Sequence, residues 1–153
     1  MKTVILAGLF LGLAAPLAAH EYKVGALVID HPVLRVSSPV ARTGAGFLTI
    51  RNTGNQADRL LSISTDASNR ADMHGTIRDG NVMRMRAQAD GVPVPAGGKT
   101  AFAPGGLHVM FIGLKAPVPE GRLIKARLTF EKAGTVDVAF KAESAANATN
   151  HQH

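Results

Sequence analysis

The sequence predicts an all-β fold, a two-sheet antiparallel sandwich with Greek-key connections, and three observations carry that prediction. Short apolar runs are broken by turn residues at intervals of about 8–12 residues, the spacing of a strand-rich domain. Where a run is clear it alternates with period two, as in Arg122-Leu-Ile-Lys-Ala-Arg-Leu-Thr-Phe130 and in Thr135-Val-Asp-Val-Ala-Phe140, where Val136, Val138 and Phe140 share a face. No stretch sustains the 3.6-residue period of an amphipathic helix.

Taken in chain order, the predicted strands are 23–30, 33–37, 45–52, 58–65, 71–78, 82–88, 99–103, 108–114, 123–130 and 135–142. Gly44 precedes the third and Thr53-Gly54 closes it. Asp79-Gly80 divides the fifth from the sixth, and Asp90-Gly91 ends the sixth. Pro95-Ala96-Gly97-Gly98 and Pro104-Gly105-Gly106 bracket the short seventh run. Residues 117–121 and Gly134 separate the last strands. Proline and glycine supply the fixed and the positive φ values that tight turns demand.

The chain has 153 residues, enough for one domain with one core. Residues 1–19 read as a secretory signal, with Lys2, an apolar run over 4–15 and small residues at the end. That run is shorter than the ~20 residues of a membrane span, and no later segment is apolar enough for one. The domain is expected over 20–142 and a polar, flexible, histidine-containing tail over 143–153. Export places the protein in the periplasm. An oxidising compartment permits disulfides, yet the chain has no cysteine. A net charge of +6 is scattered along the chain. With six Phe, one Tyr and no Trp there is no stacking platform, and nucleic acid is excluded as a partner. Without a cysteine or a Gly-x-Ser-x-Gly elbow, nucleophilic catalysis has no support, and the protein is not expected to be an enzyme.

Chemistry concentrates in two segments. Beyond Met1 the chain has four methionines, Met73, Met83, Met85 and Met110, and all lie near His74 or His108. If Asp79-Gly80 is the two-residue loop of a type I′ hairpin, Arg78 pairs with Asn81 and His74 lies directly opposite Met85. Thr76, Met83 and Met85 then share the face of His74, while Met73, Arg84 and Arg86 point the other way. His108 and Met110 share a face opposite Leu107, Val109 and Phe111. A hairpin and a neighbouring strand end can thus gather His74, Met85, His108 and Met110. Two imidazoles and two thioethers are neutral and soft, a set suited to tetrahedral Cu(I) and too soft for Ca²⁺ or Mg²⁺. Zn²⁺ sites rarely use methionine. Of the other methionines, Met83 is expected to pack in the core and Met73 is an outlier.

His74, ten residues, Met85, twenty-two residues and then His108-Val109-Met110 resembles the signature of the PCu(A)C periplasmic copper chaperones. So do Gly80-Asn-Val-Met-Arg-Met-Arg86, Val94-Pro-Ala-Gly-Gly98, Pro104-Gly-Gly-Leu-His-Val-Met-Phe-Ile-Gly-Leu114 and Ile29-Asp-His-Pro32. The resemblance runs from about Val28 to Phe140. It implies a cupredoxin-like β-sandwich that binds Cu(I) through His74, Met85, His108 and Met110. It also implies delivery to a copper centre of cytochrome c oxidase, alongside a Sco-type thiol protein. His151 and His153 form a His-x-His tail suited to auxiliary Cu(II). Two alternatives stand beside this reading: periplasmic copper storage or resistance without a dedicated client, and a structural β-sandwich whose His/Met cluster is incidental.

Overall fold

The structure is a computed structural model that describes residues 21–146. The leader at 1–19, and His151 and His153 of the tail, lie outside the described residues. Eleven strands build the domain: β1 (Glu21–Val24), β2 (Leu27–Val36), β3 (Thr43–Asn52), β4 (Asp58–Ser64), β5 (Ser68–Asp79), β6 (Val82–Ala87), β7 (Val92–Val94), β8 (Lys99–Phe102), β9 (His108–Leu114), β10 (Leu123–Phe130) and β11 (Gly134–Ser144).

Alternation drives the packing. Along β10 every second residue from Ile124 to Phe130 is buried, and Val138, Phe140 and Ala142 do the same in β11. Each fully buried large apolar side chain contributes roughly 1.5–3 kcal/mol. The largest fully buried side chains, Phe111 and Phe140, make a T-shaped contact with ring centroids 5.2 Å apart. Gly46 of β3 passes directly beneath that pair. A Cβ there would come within 2.8 Å of Phe111 and 3.1 Å of Phe140.

The hydrogen-bonded order is β6-β5-β9-β3-β2-β11-β10-β4-β7, with β1 also on β2 and β8 also on β3. Non-sequential neighbours such as β9 between β5 and β3 are the crossovers of a Greek key. The architecture is all-β with Greek-key crossovers, as expected from the sequence, but hydrogen bonds join the strands in one continuous sheet rather than two. Two ten-residue strands, β2 and β3, each change partners midway. The first half of β2 pairs with β1 and its last residues pair in parallel with β11, a parallel ladder within an otherwise antiparallel set. The change occurs at a bulge where His31 takes φ 50° and Pro32 supplies no donor. β3 gives its first half to β9 and its second half to β8. Strands that switch partners in this way turn a sheet across its core.

Three boundaries depart from the sequence reading. The run 23–30 is a hairpin, because Gly25 at φ 54° turns the chain between Val24 and Leu27. β7 is an unexpected three-residue strand, Val92-Pro93-Val94, on the edge beside β4. β11 runs on past Ala142, with Glu143 and Ser144 paired to Arg35 and Val36.

A candidate soft-metal site on one sheet face

β5 and β9 lie side by side in antiparallel register and decide the site. Both alternate. Met73 on β5 and Val109 and Phe111 on β9 enter the core, so their neighbours Asp72, His74, Thr76, His108 and Met110 occupy the outer face. His74 is directly opposite His108, and Asp72 is opposite Met110. The two imidazole rings stand edge-on, 5.8 Å between centroids and 71° apart in plane. β6 brings Met85 to the same face from the other side of β5, where it pairs with Thr76.

His108 is oriented by the chain itself. Ala103-Pro104-Gly105-Gly106 forms a hydrogen-bonded turn with proline second and Gly105 at φ 83° third, the pattern of type II. The Gly106 carbonyl then accepts from Thr76 N at 3.3 Å and lies 3.0 Å from His108 Nδ1. A carbonyl only accepts, so Nδ1 carries the proton and the lone pair is left on Nε2. A backbone carbonyl holding the second nitrogen is the usual support of a metal-binding histidine. His108 is 8% exposed.

His74 is the complement. Its Nδ1 is buried and has no hydrogen-bond partner. An unsatisfied buried polar atom costs about 1–3 kcal/mol, and a soft cation bound at that nitrogen would relieve that cost. The donors present fit such an ion: two neutral imidazoles, with Met110 half-buried beside them. Asp72, a carboxylate on this face, is ion-paired with Arg70 at 3.0 Å. Among the described residues no group of three or more His, Cys, Asp or Glu gathers. The other soft side chains on this face are the thioethers of Met85 and Met110.

The structure corrects the hairpin. Asp79 pairs with Val82, so the two-residue loop is Gly80-Asn81, not Asp79-Gly80. Gly80 has φ 62° and Asn81 does not have positive φ, which is the type II′ pattern with glycine first. His74 therefore faces Ala87, and Met85 stands diagonally from it rather than opposite. Faces are unchanged, because the partner of each residue moves by two. The two spare methionines exchange roles. Met73 is 7% exposed and belongs to the core, whereas Met83 is 58% exposed on the ligand face opposite Arg78. The hairpin projects beyond the sandwich, so both faces of its outer half meet solvent, as Ile77 and Val82 also do. The carbonyl of Gly106 is the functional group that sequence reasoning missed. The glycine-rich turn was visible, but nothing in residue type announced which ring the carbonyl would hold.

Residues 27–142 match the family described as "Putative lipoprotein LpqE-like". A curated relative from Leifsonia xyli subsp. xyli, "Putative lipoprotein Lxx21020", is 33% identical over 95 residues. Those residues are 62% of this chain and 57% of the relative, so the match spans little more than half of that protein. Among solved structures, the apo PCuAC domain from PmoF1 superposes with a TM-score of 0.69 at 28% identity, over 82% of this chain and 99% of that one. The copper-bound PCuAC domain from PmoF2 does so with 0.68 at 26% identity, over 82% and 98%. The Cu(I) form of DR1885 from Deinococcus radiodurans shares the fold, with a TM-score of 0.61 at 23% identity over 82% and 81%. Matched along nearly all of its strands, the chain belongs to the LpqE-like family and carries a PCuAC-type domain.

Proposed function

We propose that this protein is a periplasmic copper(I) chaperone, which binds one Cu(I) ion through His74, Met85, His108 and Met110 and hands it to a copper-accepting protein. The observation that carries the reading is the His74–His108 cross-strand pair, with one ring fixed by Gly106 and the other left with an orphaned buried nitrogen. Copper-bound PCuAC domains of the same fold support it. The donor set supports the oxidation state, since neutral imidazole and thioether stabilise a soft monovalent ion. The role is binding and transfer rather than catalysis. Each thioether is a monodentate neutral ligand, so an acceptor can replace the four ligands one at a time.

Location follows from the apolar leader and is supported by the lipoprotein descriptions of the relatives. The acceptor implied by the PCu(A)C resemblance is a copper centre of cytochrome c oxidase, with a Sco-type thiol protein as co-worker. The His151/His153 tail is proposed to take up Cu(II) separately. Truncation after Ala146 should lower Cu(II) stoichiometry and leave Cu(I) binding intact, and an unchanged Cu(II) count would remove the idea.

The main test is Met85→Leu combined with Met110→Leu, with Cu(I) affinity measured by competition against a chromogenic chelator. Loss of ligands should weaken binding by more than the roughly 10–100-fold typical of groups that merely support ligands. Unchanged affinity would show that the site lies elsewhere.

A further inference from the structure

The four-ligand reading leaves Met83 without a role, and its placement is unusual. Met83 and Met85 are 58% and 65% exposed, while the core accommodates Met73. Leaving an apolar side chain in water forgoes the free energy that its burial would contribute. Both sulfurs stand on one face of β6, two residues apart, so their Cα atoms are about 7 Å apart along the strand. Thioether side chains of that length reach one ion from such positions, given metal–sulfur distances of ~2.3 Å. Among the described residues β6 pairs with β5 alone, and all six of its residues are exposed.

Position along the sheet orders these sulfurs. Met83 pairs with Arg78, farthest out, Met85 pairs with Thr76, and His74 lies one pleat further in, opposite His108. Met110 follows on β9. The soft donors thus run from solvent to the imidazole pair, of which His74 is half-buried and His108 buried, with Met85 midway. Arg78 faces Met83 across the hairpin, and its positive charge disfavours a cation resting at the outer end. The arrangement suits passage inward better than storage.

We propose that Met83 and Met85 form a two-thioether capture site for Cu(I) at the exposed hairpin, distinct from the resting site and sharing Met85 with it. The ion enters there and exchanges Met83 for the imidazoles and Met110. No electron or proton moves in this exchange, only neutral ligands. The proposal rests on the reading of His74, His108 and Met110 as a Cu(I) site.

Stopped-flow uptake by the full chain from Cu(I)–bicinchoninate tests it, comparing wild type, Met83→Leu and Met85→Leu. Met83 is exposed, so leucine there does not threaten the core. Met83→Leu should slow uptake by about tenfold, within the range by which association rates vary among variants of one site. Its equilibrium affinity should stay within about twofold of wild type. Equal uptake rates would overturn the capture site, and would leave the hairpin as an arm for a protein partner, none being present in this assay. An affinity loss as large as that of Met85→Leu would also overturn it, by making Met83 part of the resting site. A wild-type chain that takes up no Cu(I) would instead overturn the underlying assignment.

Discussion

Asp58 and His108 are both buried polar side chains, and backbone partners account for each. Asp58 accepts hydrogen bonds from Arg59 N at 2.7 Å, Lys132 N at 2.9 Å and Ala133 N at 2.9 Å. Burial acts to raise its pKa, but the three N–H donors and the nearby Lys132 charge outweigh that and hold the carboxyl below the usual aspartate value. A folded-state pKa below the unfolded one gives a contribution that is complete above the unfolded value of about 3.9 and is lost as pH falls through the folded value. Asp58→Ala leaves three donors unpaired and should cost about 3 kcal/mol in urea unfolding. Its stability should also fall less steeply than wild type below about pH 4. An equally steep acid limb would show that the pairing is not electrostatically important. Nothing in the sequence marked this residue, because two of its donors lie 74 and 75 positions away. His108, by contrast, was singled out in the sequence by its spacing to Met110, although the carbonyl that orients it was not.

At the scale of elements, parity was legible and register was not. A strand alternates faces whatever its partner, so His74, Met83 and Met85 were placed on one face correctly. Which residues oppose one another depends on the loop, and Asp79-Gly80 and Gly80-Asn81 both offer a glycine. Positive φ at Gly80 followed by ordinary φ at Asn81 decided for the second. The misplacement of Met83 has a different cause. Residue type assigns methionine to cores, but only the length by which β5 and β6 overhang the sandwich decides exposure. Close packing between elements is likewise invisible in sequence. Gly46→Ala should destabilise by roughly 1–3 kcal/mol through overpacking against Phe111 and Phe140. Thermal melting reads the effect, and an unchanged midpoint would mean that β3 is free to shift away from the aromatic pair.

The whole molecule was readable where alternation was long and turns were strong, as in β9, β10 and β11. It was unreadable where three residues and a proline make β7, and where β2 continues across Pro32 by means of a bulge. Neither error disturbed the site, because β5, β6 and β9 are adjacent through registers that preserve their outer face. The curved sheet buries one side of β5 and β9 in the core around Phe111 and Phe140, whereas every residue of β6 is exposed. A net charge of +6, with Arg78, Arg84 and Arg86 on the hairpin that carries Met85, would steer the proposed transfer toward an acidic surface. The central claim is that two imidazoles and two thioethers converge on one soft ion. X-ray absorption of the chain loaded with one equivalent of Cu(I) tests it most directly, since nitrogen and sulfur scatterers are counted separately. The expected result is two nitrogen and two sulfur ligands, with the sulfur signal lost in Met85→Leu/Met110→Leu; a wild-type spectrum without sulfur would contradict the account.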